Sequence, residues 1–225
     1  MQENIQENAW RILLARIIGV VAGLIIGVFA LMWISPIIAR SLATVQSGWY
    51  ISRSTGIIAY LLSWLATVAG LMITGRQAQQ WPGVIQANDI HRQASLASLV
   101  MMGIHVVALM TDTYMHYTWY TLFIPSLQSP YAPIAVALGQ IALPIAIVII
   151  ATAEWRQIVG KAWRWIHVGA FFVYFAGALH GIFSGSDTRI SLISLMYVVT
   201  ISSVIFLTVY RVVFRRSIST AVDAV

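Results

Sequence analysis

"KAWRWIHVGAFFVYFAGALHG", residues 161–181, is long and apolar enough to cross a bilayer, yet it carries a histidine near each end, His167 and His180. Ionisable side chains inside a spanning helix are costly and call for a functional explanation. The chain around this stretch has the same apolar character. Of its 225 residues 60% are hydrophobic and 9% are charged, against about 25% charged in an ordinary soluble domain. A soluble protein of this composition would lack the polar surface to cover itself. The reading is an all-α integral membrane protein.

Six stretches are long enough to span, at 10–34, 50–74, 90–111, 132–153, 162–184 and 190–213. Turn or polar chemistry separates them, from Ser35-Pro36 to the Ser184–Asp187 break. Basic residues accumulate on the cytoplasmic side. The tails and even-numbered loops hold Arg11, Arg16, Arg76, Arg92, Arg156, Lys161, Arg164, Arg211, Arg215 and Arg216, whereas the odd-numbered loops hold Arg40, Arg53 and Arg189. The expectation is a six-transmembrane-helix bundle with both termini cytoplasmic, placed in the bacterial inner membrane. Residues 1–9 form a short cytoplasmic segment, 10–214 the membrane domain and 215–225 a cytoplasmic tail. The opening "MQENIQENAW" has two glutamates and no early basic residue, so no cleaved leader is expected.

The absence of cysteine removes disulfides, thiolate metal sites and c-type haem attachment from consideration. The net charge of +6 is accounted for by arginines at membrane edges, and no basic cluster on a soluble segment suggests nucleic acid. The first span carries Gly19, Gly23 and Gly27, a face suited to close helix packing within the chain or against a membrane subunit partner. The segment 111–133 is rich in aromatics and nearly uncharged, which suits a loop or short helix lying on the outer surface. His116 falls in that segment and reads as an interfacial side chain.

The other four histidines fall in the third and fifth spans, which both start on the cytoplasmic side and therefore run parallel. His91 and His167 lie near the inner face; His105 and His180 lie toward the outer half. The spacings of 14 and 13 residues correspond to roughly 20 Å of rise. Two pairs at matched depths result, His91 with His167 and His105 with His180. A flat macrocycle held between two helices wants one imidazole from each side at the same height, so bis-histidine haem ligation is the chemistry this pattern suits. Helix phase agrees less well. Fourteen residues bring His105 back to within roughly 40° of His91, but thirteen leave His180 about 140° from His167. A bend or bulge at Gly169 or Gly177 would relieve the mismatch.

Anionic propionates need cationic partners. Arg92 and Arg164 adjoin the inner pair, and Arg53 lies on the side of the outer pair, with Arg189 a further outer candidate. Asp112-Thr113 and Asp187-Thr188 each follow a deep histidine by seven residues; capping or tethering is their expected role. All seven acidic residues are expected at or outside the membrane edges, which disfavours a proton or ion pathway.

"SRSTGIIAYLL" (52–62), "DIHRQASL" (89–96) and the pattern R-x3-G-x2-W-R-x2-H ending at His167 together resemble the ferric reductase-like transmembrane domain, the haem core of ferric reductases and NADPH oxidases. The resemblance covers roughly residues 50–190. It is shared in part by the membrane haem subunit of the methionine sulfoxide reductase system. It implies a six-helix bundle with an inner b-type haem on His91 and His167, an outer one on His105 and His180, and Arg53 near the outer haem. It also implies electrons passing from a cytoplasmic flavin to the outer face. No flavin or NAD motif follows the last span, so a separate donor (a flavoprotein or quinol) and an outer-side acceptor are expected. The chain would then be the haem-carrying component of an oxidoreductase rather than a complete enzyme. The alternative is an accessory or anchor subunit of a larger membrane complex, with a structural role.

Overall fold

The computed structural model describes residues 47–111, 117–125, 127, 129 and 131–222. Every regular element among them is helical: α1 (Ser47–Thr74), α2 (Val84–Met110), the short α3 (Trp119–Phe123), α4 (Pro133–Glu154), the single turn α5 (Arg156–Val159), α6 (Ala162–Ser184) and α7 (Ser191–Val222). Two 3-10 turns, Gln77–Gln79 and Ser186–Arg189, lie in the connections. Five of the helices, α1, α2, α4, α6 and α7, are long and apolar enough to cross a membrane. The chain is thus a multi-pass helical membrane protein. These five correspond to the second through sixth expected spans. The first, 10–34, with Gly19, Gly23 and Gly27, lies outside the described residues, as do Asp112 and His116.

The helix ends follow local chemistry. α6 begins and ends where hydropathy places it. α2 starts at Val84, ahead of the expected 90, because the stop is Gly83, held at φ 110 where only glycine is unstrained. Asp89 therefore lies within α2, exposed, rather than before it. α7 runs to Val222, into the segment expected as a tail, since residues 211–222 contain neither proline nor glycine to end a helix. α4 opens with proline at its first turn, where the missing N–H is no loss. The aromatic outer segment contains α3, opened by a reciprocal cap between Thr118 and Thr121. Gln140 of α4 donates to the Thr121 carbonyl at 2.6 Å and ties α3 down.

Neighbouring helices approach through small residues. Ala142, Ala146 and Ile149 of α4 meet Val173 and Ala176 of α6, with Ile166 and Ala170 packed alongside. In a bilayer, where lipid is as apolar as leucine, such small-residue faces allow close van der Waals packing. A second cluster joins α1, α6 and α7 through Tyr60, Leu71, Tyr174, Ala178, Tyr197 and Val204, with Phe171 beside them. α6 thus carries two stripes. One (166, 170, 173, 176) faces α4, and the other (171, 174, 178) faces α1 and α7. Buried hydroxyls cross-link the second cluster. Tyr60 Oη lies 2.5 Å from Thr200 Oγ1 and 3.2 Å from Tyr174 Oη, and Trp64 donates to Ser203 at 2.8 Å.

Candidate functional site

The four intramembrane histidines meet in two pairs. The ring centroids of His91 and His167 are 5.8 Å apart with planes at 67°; those of His105 and His180 are 6.1 Å apart with planes at 84°. In each pair α2 contributes one ring and α6 the other, so α2 and α6 run parallel, as matched depths require. The partners are those the 14- and 13-residue spacings select.

Three of the four rings are seated in the same way. His91 Nδ1 lies 2.8 Å from the Ala66 carbonyl, His105 Nδ1 2.7 Å from the Ser52 carbonyl, and His180 Nδ1 2.8 Å from the Ala135 carbonyl. A carbonyl only accepts, so Nδ1 carries the proton in all three, and Nε2 keeps its lone pair. Four residues after each carbonyl stands a glycine packed against the same ring. A Cβ at Gly70 would come within 3.2 Å of His91, at Gly56 within 3.0 Å of His105, and at Gly139 within 2.8 Å of His180. The repeat has a mechanical cause. The carbonyl of residue i lies beside residue i+4 on the helix surface, so an imidazole reaches it only where i+4 has no side chain. Ser52 Oγ, 3.1 Å from His105 Nδ1, and Ser184 Oγ, 3.4 Å from His180 Nδ1, add hydroxyls to the second pair.

His167 is the exception. Its Nδ1 is buried with no hydrogen-bond partner among the described residues, as is the indole nitrogen of Trp163, whose ring lies 5.3 Å away. α6 is a continuous α-helix from Ala162 to Ser184, with no break at Gly169 or Gly177. His180 continues the stripe that faces α4 and finds Ala135. By helix phase His167 falls on the stripe of Phe171 and Tyr174, the one that meets α1 and α7 rather than α4, and its ring meets His91 of α2. The 13-residue spacing leaves one histidine of α6 without a carbonyl.

The structure places the cationic candidates differently. Arg53 makes a two-pronged ion pair with Asp187, Nε to Oδ2 at 2.6 Å and Nη2 to Oδ1, and lies 5.5 Å from the centre of the Trp49 ring. Asp187 thereby tethers the α6–α7 connection to α1. Arg92 is engaged at 3.2 Å by Glu154, 62 positions along the chain, at a site where the two side chains are 64% and 46% exposed. Arg164 is exposed and has no carboxylate partner among the described residues. Arg189 is also exposed.

A cavity of ≈ 210 Å³ opens beside the His105–His180 pair. Both histidines line it, with Arg53, Gly56 and Gly139; Tyr60 and Tyr174 form another part of the wall, and Leu122 of α3 also reaches it. Among the described residues no group of three or more His, Asp or Glu converges. A closed metal site made by protein side chains alone takes about four ligands. Each pair brings two imidazole rings together with no third ligating side chain among the described residues, which suits a group that brings its own remaining donors. With about 2 Å from metal to nitrogen and roughly 1 Å from nitrogen to ring centre, two imidazoles across one metal place their centroids about 6 Å apart. The separations of 5.8 and 6.1 Å match that span. Carbonyl-bound Nδ1–H groups are the usual outer support of metal-ligating histidines.

Compared with protein-family models, with curated proteins and with solved structures, the chain matches none.

Proposed function

We propose that this protein is a di-haem b-type cytochrome of the ferric reductase-like kind, moving electrons across the bacterial inner membrane from a cytoplasmic-side donor to an outer-side acceptor. The observation that carries the reading is the meeting of four histidines as two pairs, at ring separations that fit one iron each. Haem held by two imidazoles is six-coordinate and supplies one-electron transfer rather than ligand activation.

The chain's own residues have distinct parts in this scheme. His91 and His167 hold the inner group, and His105 and His180 the outer one. The two levels are separated by roughly 20 Å of helix rise, and the Tyr60–Tyr174 contact lies between them in sequence on α1 and α6. Arg53 keeps guanidinium donors beyond the two given to Asp187, enough to meet an outer propionate. Arg164, with no carboxylate partner among the described residues, is the better inner candidate; Arg92 already has Glu154. On this reading, with six spans and both termini cytoplasmic, electrons enter at the cytoplasmic face near Arg92, Trp163 and Arg164.

The test is vectorial transfer. Proteoliposomes loaded with ferricyanide are given an impermeant reductant outside. The reading expects bleaching of the trapped ferricyanide, abolished by His105→Ala. An anchor subunit with a structural role would show no bleaching above protein-free vesicles while still assembling with its partners.

A further inference from the structure

Among the described residues three ligand seats are complete and one is missing, and the cofactor sites differ accordingly. The inference rests on the two-haem reading. At the outer level both imidazoles donate Nδ1–H to a helix carbonyl and are backed by a glycine: His105 on Ser52 and Gly56, His180 on Ala135 and Gly139. At the inner level only His91 is seated, on Ala66 and Gly70. His167 Nδ1 is buried without a partner, and the indole beside it offers no acceptor.

α4 does not supply the missing seat. Counting inward from Gly139 by the 14 residues that separate Gly56 from Gly70 reaches Ala153, where a methyl stands in place of a hydrogen. The face of His167 is turned elsewhere in any case. Phase and side-chain volume leave His167 without a carbonyl seat among the described residues.

An Nδ1–H donated to a carbonyl fixes the tautomer, locks the ring about its axis and makes Nε2 a stronger donor to the metal. Its removal typically costs 10–100-fold in metal affinity. We infer that Gly56, Gly70 and Gly139, with the carbonyls they uncover, are positioning residues for three of the four haem ligands, and that the unseated His167 makes the inner site the weaker of the two. The inner group is then the first to leave, and the first whose iron opens to an outside ligand.

The experiment is transfer of haem from the full-length protein in detergent to excess apomyoglobin, followed optically. The expected result is two phases of equal amplitude, differing by 10–100-fold in rate. Protein carrying His105→Ala should retain only the fast phase, and protein carrying His91→Ala only the slow one. As a readout that folding alone would not move, the faster-leaving haem should show the higher midpoint potential, because its ligand is the poorer donor to ferric iron. A single phase in the wild-type protein overturns the inference, as does a slow phase surviving in His105→Ala. Wild-type kinetics decide this even if neither variant assembles. Protein that takes up no haem overturns the two-haem reading itself, an outcome distinct from two equally retained haems.

Discussion

Gly139→Ala is the sharpest single perturbation. The new Cβ would stand 2.8 Å from His180 Nδ1, 3.0 Å from Cε1 and 3.1 Å from Cγ, where ordinary contact begins at 3.4 Å. The ring must withdraw by about 0.6 Å, because the atom pressing on it belongs to a helix backbone that cannot rotate away. Withdrawal by that amount along the bond carries the 2.8 Å contact with the Ala135 carbonyl past the limit beyond which N–H···O bonds fade, near about 3.2 Å. Losing such a supporting bond costs roughly 10–100-fold in metal affinity, or about 1.4–2.7 kcal/mol. The assay is outer-haem retention under apomyoglobin challenge, with Gly103→Ala as control because a Cβ there meets nothing within 4 Å. The slow phase should quicken in Gly139→Ala and stay unchanged in Gly103→Ala. Equal retention in the two variants would refute the seat argument.

Tyr60→Phe removes the hydroxyl shared with Thr200 and Tyr174 inside the α1–α6–α7 cluster, and should cost about 1–3 kcal/mol; a thermal unfolding midpoint in detergent within error of wild type would argue that these hydroxyls are not coupled. Arg53→Gln leaves the Asp187 carboxylate without its cation at a site where the two side chains are only 23% and 26% exposed, so a loss of about 1–2 kcal/mol is expected. Glu154→Gln breaks the exposed pair with Arg92 and should change stability by less than about 0.5 kcal/mol; the two variants compared by the same unfolding assay should differ in that order, and the reverse order would contradict the assigned burial.

Much of this arrangement is written in spacing. Alternating apolar runs and turn residues locate the spans, and the interval from His91 to His105 against that from His167 to His180 selects the partners that meet. The phase of α6 was the feature that hydropathy could not settle. A bend or bulge at Gly169 or Gly177 is one expectation; the helix runs through both without a break, and the mismatch appears as an Nδ1 of His167 with no partner among the described residues. The seats left a signal in the sequence that spacing alone did not expose. A small residue followed four positions later by glycine occurs at Ser52–Gly56, Ala66–Gly70 and Ala135–Gly139, but such pairs also serve plain helix packing. Only the histidine against each glycine distinguishes the two uses. Ion pairs such as Arg92 with Glu154 join residues far apart in the chain, and charge alone does not choose between that carboxylate and a propionate. The end of α7 was misplaced because hydropathy marks where the membrane ends, not where a helix does.

The central claim is that each histidine pair holds one haem. The most direct measurement is a pyridine haemochrome count per chain, with a dithionite-reduced minus oxidised spectrum, on wild-type protein and on His180→Ala and His167→Ala expressed with haem supplementation. The account predicts two b-type haems in the wild type and one in each variant. No haem in the wild-type protein, or two retained in either variant, would contradict it.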